Sequence, residues 1–83
     1  MSTLKNNNSE FSAFAADVKI NDEFLTVYLT DGRIISVPIV YFTKLLNATQ
    51  QERNNWRLIG NGQGISWEDL DEDLSVAGLL RVQ

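Results

Sequence analysis

Leu25-Thr26-Val27-Tyr28-Leu29-Thr30-Asp31-Gly32-Arg33-Ile34-Ile35-Ser36-Val37-Pro38-Ile39 is the stretch that decides the fold. Leu25, Val27 and Leu29 alternate with Thr26, Tyr28 and Thr30. After Asp31-Gly32 the aliphatic residues Ile35, Val37 and Ile39 resume the same period. A period of two places one set of side chains on one face of a sheet. Asp-Gly between two such runs predicts an antiparallel hairpin closed by a type I′ turn, which needs positive φ at both central residues. Pro38 has no N–H to give to a ladder, so its strand ends there or lies at a sheet edge.

Upstream, Ala16, Val18 and Ile20 alternate with Asp17 and Lys19, and Asn21-Asp22 is a turn signal. Three antiparallel strands follow, with one aliphatic face that needs a cover. Downstream, Tyr41, Phe42, Leu45 and Leu46 recur at three- and four-residue spacing, which predicts a short helix over 40–47 carrying one apolar stripe. Thr49-Gln50-Gln51-Glu52 matches a capping box, a hydroxyl followed three residues on by Glu, and predicts a second short helix over 50–55. Trp56-Arg57-Leu58-Ile59 reads as a fourth strand, Gly60-Asn61-Gly62-Gln63-Gly64 as a turn, and Ile65-Ser66-Trp67 as a short return. Ser75 is placed to cap a final helix over 76–80. Asp71, Glu72 and Asp73 would then lie just before it or in its first turn, where negative charge favours the helix dipole. The order β-β-β-α-β-β-α defines an α+β fold, a small antiparallel sheet with helices packed on one face. Residues 1–13 are polar, with an Asn6-Asn7-Asn8 run, and read as a flexible arm whose end Phe11 and Phe14 pin to the body. Residues 14–83 form the single domain.

Composition narrows the chemistry. The chain has 83 residues, 43% of them hydrophobic and 22% charged, which suits one small globular domain rather than a disordered chain. There is no cysteine and no histidine. That excludes disulfides, thiolate nucleophiles, Ser-His-Asp triads, Cys-His dyads and the usual zinc ligand sets. The formal net charge of −4 argues against direct binding of a nucleic-acid backbone. No apolar run approaches the roughly 20 residues that span a bilayer. The first ten residues hold no apolar signal-peptide core, so the expected location is the cytoplasm, with no membrane association.

Four constellations invite a functional reading, and each has a simpler one beside it. The 60–64 turn brings three glycines together, as phosphate loops do, but no Lys-Ser/Thr follows and it opens no helix; a hairpin turn accounts for it. Asp69, Asp71 and Asp73 imitate the first ligands of a calcium loop, yet Leu74 stands where the loop needs glycine and Leu80 where it needs glutamate. A solvated acidic face is the simpler explanation, and a docking edge for a basic partner the functional one. Trp56 and Trp67 bracket the glycine turn and face each other across a hairpin, either as packing or as an exposed partner anchor. Arg33, Lys44, Arg53 and Arg57 are scattered and read as salt-bridging with acids.

Taken in order, Asp31-Gly32-Arg33, Pro38, residues 49–53 (Thr-Gln-Gln-Glu-Arg), Trp56, Gly64-Ile65-Ser66-Trp67 and Leu70-Asp71-Glu72-Asp73 through Leu79-Leu80 resemble the bacterial domain of unknown function 2442. The likeness spans roughly residues 15 to 80. It implies a small α+β domain with an antiparallel sheet and brings no activity, cofactor or catalytic residue with it. Relatives are sometimes joined to a helix-turn-helix domain and often encoded beside another small protein. The resemblance therefore implies a regulatory role, as the antitoxin-like or adaptor half of a two-protein bacterial system. No helix-turn-helix extension follows Val82-Gln83 in this sequence, so any DNA binding is expected to need a partner.

The expectation from the sequence is a non-enzymatic, protein-binding or regulatory module without a cofactor or metal, a monomer or weak homodimer, with a basic protein as partner. The candidate partner-binding residues are Trp56, Arg57, Asn61, Trp67, Glu68, Asp69, Asp71 and Asp73. The alternative is a small ligand- or metal-sensing domain, or a minor enzyme, with its site near the 60–64 turn.

Overall fold

The aliphatic alternation folds as its period dictates. A computed structural model describes residues 13–82 of the chain; most of the polar arm, Phe11 included, lies outside the described residues. Strands β1 (Ala15–Ile20), β2 (Phe24–Leu29) and β3 (Ile34–Pro38) form an antiparallel sheet in that order. A one-turn 3-10 segment, Ile39–Tyr41, leads to helices α1 (Thr43–Leu46) and α2 (Gln50–Asn54). Strands β4 (Arg57–Ile59), β5 (Gly64–Trp67) and β6 (Glu72–Ser75) form a second antiparallel sheet, again in sequence order, and α3 (Val76–Val82) ends the domain. The α+β class holds. Among the described residues the strands form two sheets where one was expected, and there is one strand more, because the acidic segment 72–75 pairs with β5 rather than entering the last helix.

Both hairpins of the first sheet are present, with local departures. Asn21 closes the first: its Oδ1 accepts the N–H groups of Glu23 and Phe24, each at 2.7 Å. The register shifts between Ala15 and Asp17, so Ala16 is a bulged residue. The bulge exposes Ala16 and buries Ala15 in the place the alternation assigned to Ala16. At Asp31-Gly32 the turn is not type I′. The Gly32 N–H donates to the Leu29 carbonyl (3.1 Å), the Leu29 N–H donates to the Arg33 carbonyl (2.8 Å), and within the loop only Gly32 has positive φ (95°). This is a type I turn followed by a left-handed glycine. The type I′ turn occurs instead at Asn61-Gly62, with φ 59° and ψ 27° at Asn61 and φ 98° at Gly62. The Gln63 N–H closes it on the Gly60 carbonyl at 3.1 Å.

Pro38 ends an edge strand, and the ladder explains why it is tolerated. The Ile39 N–H donates to the Glu23 carbonyl (2.9 Å), which makes Phe24 and Pro38 a non-hydrogen-bonded pair. The missing proline N–H would have pointed away from β2, so nothing is lost.

The inner face of the first sheet (Val18, Ile20, Leu25, Val27, Leu29, Ile35, Val37) joins Ile39, Leu45, Ile65, Trp67, Val76 and Leu79 in one buried cluster. The helices and the second sheet thus cover the same face of the first. A methyl group at Gly62 would stand 2.5 Å from the Ala15 carbonyl oxygen, so the type I′ turn is seated directly on the start of β1. The helix expected over 40–47 is shorter. Phe42 is extended (φ −125°, ψ 90°) and separates the 3-10 turn from α1, which breaks the predicted stripe. Of its members only Leu45 is buried, Phe42 is half-buried, and Tyr41 and Leu46 are exposed. The capping box is present: the Glu52 N–H donates to Thr49 Oγ1 (3.1 Å), and the Thr49 N–H donates to Glu52 Oε1 (2.9 Å). Ser75 caps α3 by accepting the Gly78 N–H at 2.9 Å. No helix among the described residues is long and apolar enough to cross a membrane.

Candidate functional site

Trp67 sits at the junction of the two sheets. Its side chain is fully buried, and its indole Nε1–H donates to the Arg53 carbonyl at 2.9 Å. A buried indole needs such an acceptor, and the backbone near the end of α2 supplies it. Trp67 is therefore a core residue and not a partner anchor, which corrects its place among the binding candidates. The register Arg57↔Ser66 carries Trp56 opposite Trp67, and Trp56 is half-buried against the core.

Arg53 does form an ion pair, with Asp22, as its place among the scattered basic residues suggests, but it is 5% exposed. Its Nε donates to the Leu45 carbonyl (2.9 Å) and its Nη2 to the Leu46 carbonyl (3.1 Å), which satisfies the end of α1. Its Nη1 donates to Asp22 Oδ1 (2.7 Å) and to Gln50 Oε1 (3.2 Å). Gln50 in turn donates from Nε2 to the Ile20 carbonyl at 2.7 Å. One guanidinium fork thus joins the β1–β2 turn, α1 and α2, while its own carbonyl holds Trp67 of β5. No local pattern points to this, since Asp22 lies 31 residues away in sequence.

The remaining candidates divide by position. Asn61 occupies the left-handed position of the β4–β5 turn, at the opposite end of the second sheet from the β5–β6 turn. It is a turn determinant and does not join the acidic residues. Arg57 and Glu68 form an exposed ion pair at 3.1 Å, and Asn55 Nδ2 donates to Asp69 Oδ2 at 2.7 Å. Asp71 is left-handed (φ 52°, ψ 48°) at the tip of the β5–β6 turn, and its carbonyl, not its carboxylate, receives Lys44 Nζ at 2.7 Å. Asp73 is exposed on β6, in register with Ser66 and, across β5, with Arg57. No acidic residue lies in the first turn of α3, so the expected dipole role of Asp71, Glu72 and Asp73 is not realised. Among the described residues no three carboxylates converge as metal ligands would.

Two shallow depressions flank this region. One, of ≈ 620 Å³, is polar and lined by Gln51, Glu52, Asn54, Asn55 and Asp69. The other, of ≈ 420 Å³, lies on the outer face of the second sheet beside the 60–64 turn; Ile59, Gly64 and Leu74 line it with Gln63, Asp73 and Ser75. The chemistry on offer is negative charge and hydrogen-bond acceptors beside a sheet edge, next to a largely apolar floor.

These features define a two-sheet α+β domain pinned by a buried Arg-Trp junction, with an acidic strand at its margin. The sequence profile of the family described as protein of unknown function (DUF2442) matches residues 15–82, and the chain belongs to that family. The crystal structure of a protein of unknown function from Rhodospirillum rubrum is similar, with 28% identity, coverage of 84% of this chain and 87% of that one, and a TM-score of 0.73. The solution structure of an uncharacterised protein from Chromobacterium violaceum shares the fold at 20% identity and a TM-score of 0.73, covering 89% of this chain and 70% of that one. Among curated proteins none matches.

Proposed function

We propose that the domain is a non-enzymatic protein-binding module that docks on a basic protein, as the adaptor or antitoxin-like half of a pair. The supporting observation is the division of its polar groups. The buried ones, Arg53 and the Trp67 indole, are spent on holding elements together, with the exposed Gln50 and Asp22 as partners of the guanidinium. The exposed ones gather as carboxylates along 68–73, where Glu68 and Asp69 have side-chain partners and those of Asp71, Glu72 and Asp73 have none among the described residues. Like charges this dense repel one another, and a cationic surface relieves that cost.

The test is affinity capture from the source cell at low and high salt, beside a variant carrying Asp69→Asn, Asp71→Asn and Asp73→Asn. The expected outcome is one stoichiometric basic protein, retained at low salt and released by salt or by the triple substitution. Equal retention by the variant removes the acidic surface from the reading, and no stoichiometric protein at any salt removes the reading itself.

A further inference from the structure

We propose that β6 is the acceptor edge for an extended, basic segment of the partner, which joins the second sheet as its fourth strand. This rests on the protein-binding reading above and specifies its mode. The strand order β4-β5-β6 leaves one side of β6 without a strand, and α3 continues from its end. The ladder fixes which backbone groups face outward. The Val76 N–H donates to the Gln63 carbonyl at 2.9 Å, so Ser75 and Gly64 are a non-hydrogen-bonded pair. Glu72 and Leu74 therefore turn their N–H and C=O groups to β5, and Asp73 turns its own outward. Asp71 adds an outward carbonyl, already held by Lys44.

The β3 edge is less suited. On β3 the outward groups belong to Ile34, Ser36 and Pro38, the last without a donor, and α3 packs against that strand. A second copy of β6 is a poor occupant, because antiparallel self-pairing sets Glu72 and Asp73 of one copy against the same acids of the other. A basic strand meets complementary charge instead. Its side chain opposite Asp73 lies on the outer sheet face, beside the carboxylate. A lysine or arginine stem reaching back over β6, whose outer face there carries Asp73 and Ser75, would point toward Gly64 and Ile59 two strand spacings in (about 9.6 Å). Main-chain pairing with charge-selected side chains is a known mode of peptide recognition.

The test uses the ¹⁵N-labelled chain and three capped six-residue peptides: alternating valine and lysine, the same with glutamate for lysine, and the lysine peptide N-methylated at alternate backbone amides. The lysine peptide is expected to shift the amides of Asp73, Leu74, Ser75 and Gly64 and to slow exchange of the Asp73 amide. N-methylation should weaken binding about ten-fold, the cost of one or two hydrogen bonds. Asp73→Asn should weaken it roughly two- to five-fold at low salt, as for an exposed charge pair. The glutamate peptide should not bind. Equal binding of the N-methylated peptide overturns strand addition while leaving the basic-partner reading intact. Shifts confined to the 51–55 depression do the same. No shift with either lysine peptide up to about 1 mM overturns both.

Discussion

At the scale of single residues, the fold depends on one arginine. Arg53 is buried, and its fork fills two helix-end carbonyls as well as an aspartate. Removing the side chain orphans the Leu46 carbonyl, leaves the Leu45 carbonyl with the Ala48 N–H alone, and cuts the tie from α2 to α1 and to the β1–β2 turn. We expect Arg53→Ala to cost about 2–4 kcal/mol, the range for breaking a buried hydrogen-bond network. The Asp22 side chain is 94% exposed, so water replaces the guanidinium there and Asp22→Asn should cost well under 1 kcal/mol. Urea unfolding of both variants checks the pair: similar losses would mean that the ion pair, not the carbonyl contacts, carries the stabilisation. Trp67 fluorescence follows the same transition, because its indole is bonded to the Arg53 backbone.

At the scale of elements, each hairpin is stabilised at its turn, and one of these turns should be visible in a titration. The Arg33 N–H donates to Asp31 Oδ1 (3.0 Å) and the Arg33 Nε to Oδ2 (2.9 Å). The backbone hydrogen bond from Arg33, aided by its guanidinium, holds the Asp31 carboxyl below its ordinary range. A carboxylate with a lowered folded pKa adds stability above its unfolded pKa and loses it as pH falls through the folded value. The difference in stability between the wild type and Asp31→Asn should therefore be present at pH 7 and vanish in strong acid. A carbon-detected NMR titration of Asp31 should give a midpoint below that of a model peptide, and an equal midpoint would remove the turn's electrostatic support.

The elements also show how far the sequence could be read. The strands around Asp31-Gly32 were legible because aliphatic residues recur every second position over two full strands, and Thr49-Glu52 because a capping box is local. The Ala16 bulge was not, since Ala15 and Ala16 are chemically alike and only the pairing with Leu29 and Tyr28 chooses between them. Strand β6 was hidden by composition: Glu72-Asp73-Leu74-Ser75 has one apolar residue and low strand propensity, and it is a strand because β5 lies beside it. The candidate site was half legible. Charge marks the 68–73 segment without help from structure, but the choice between packing and a partner anchor for Trp67 falls to packing only once the Arg53 carbonyl, 14 residues away, comes within reach.

At the scale of the whole molecule, the question is whether two sheets make two units. Strands of three or four residues, as in the second sheet, are too short to stand alone. Their apolar residues Ile65 and Trp67 belong to the same buried cluster as Leu25 and Val27 of the first sheet. The Asn61-Gly62 turn rests on β1, and the Arg53 junction ties β5 to the first sheet through the β1–β2 turn. Opening the second sheet would thus expose the core face of the first, and a chain this small has no second core to retain. The domain should unfold as one cooperative unit. Native-state hydrogen exchange in low urea should give the slowest amides of β2 and β5 the same opening free energy, and Arg53→Ala should lower both by the same amount. Exchange of β5 through a cheaper opening, with β2 still protected, would show that the second sheet is a separable flap. An added strand on β6 would then stabilise the flap alone. In a single unit, binding at β6 slows exchange of the most protected amides in β2 as well, which gives the partner a direct grip on the stability of the whole domain.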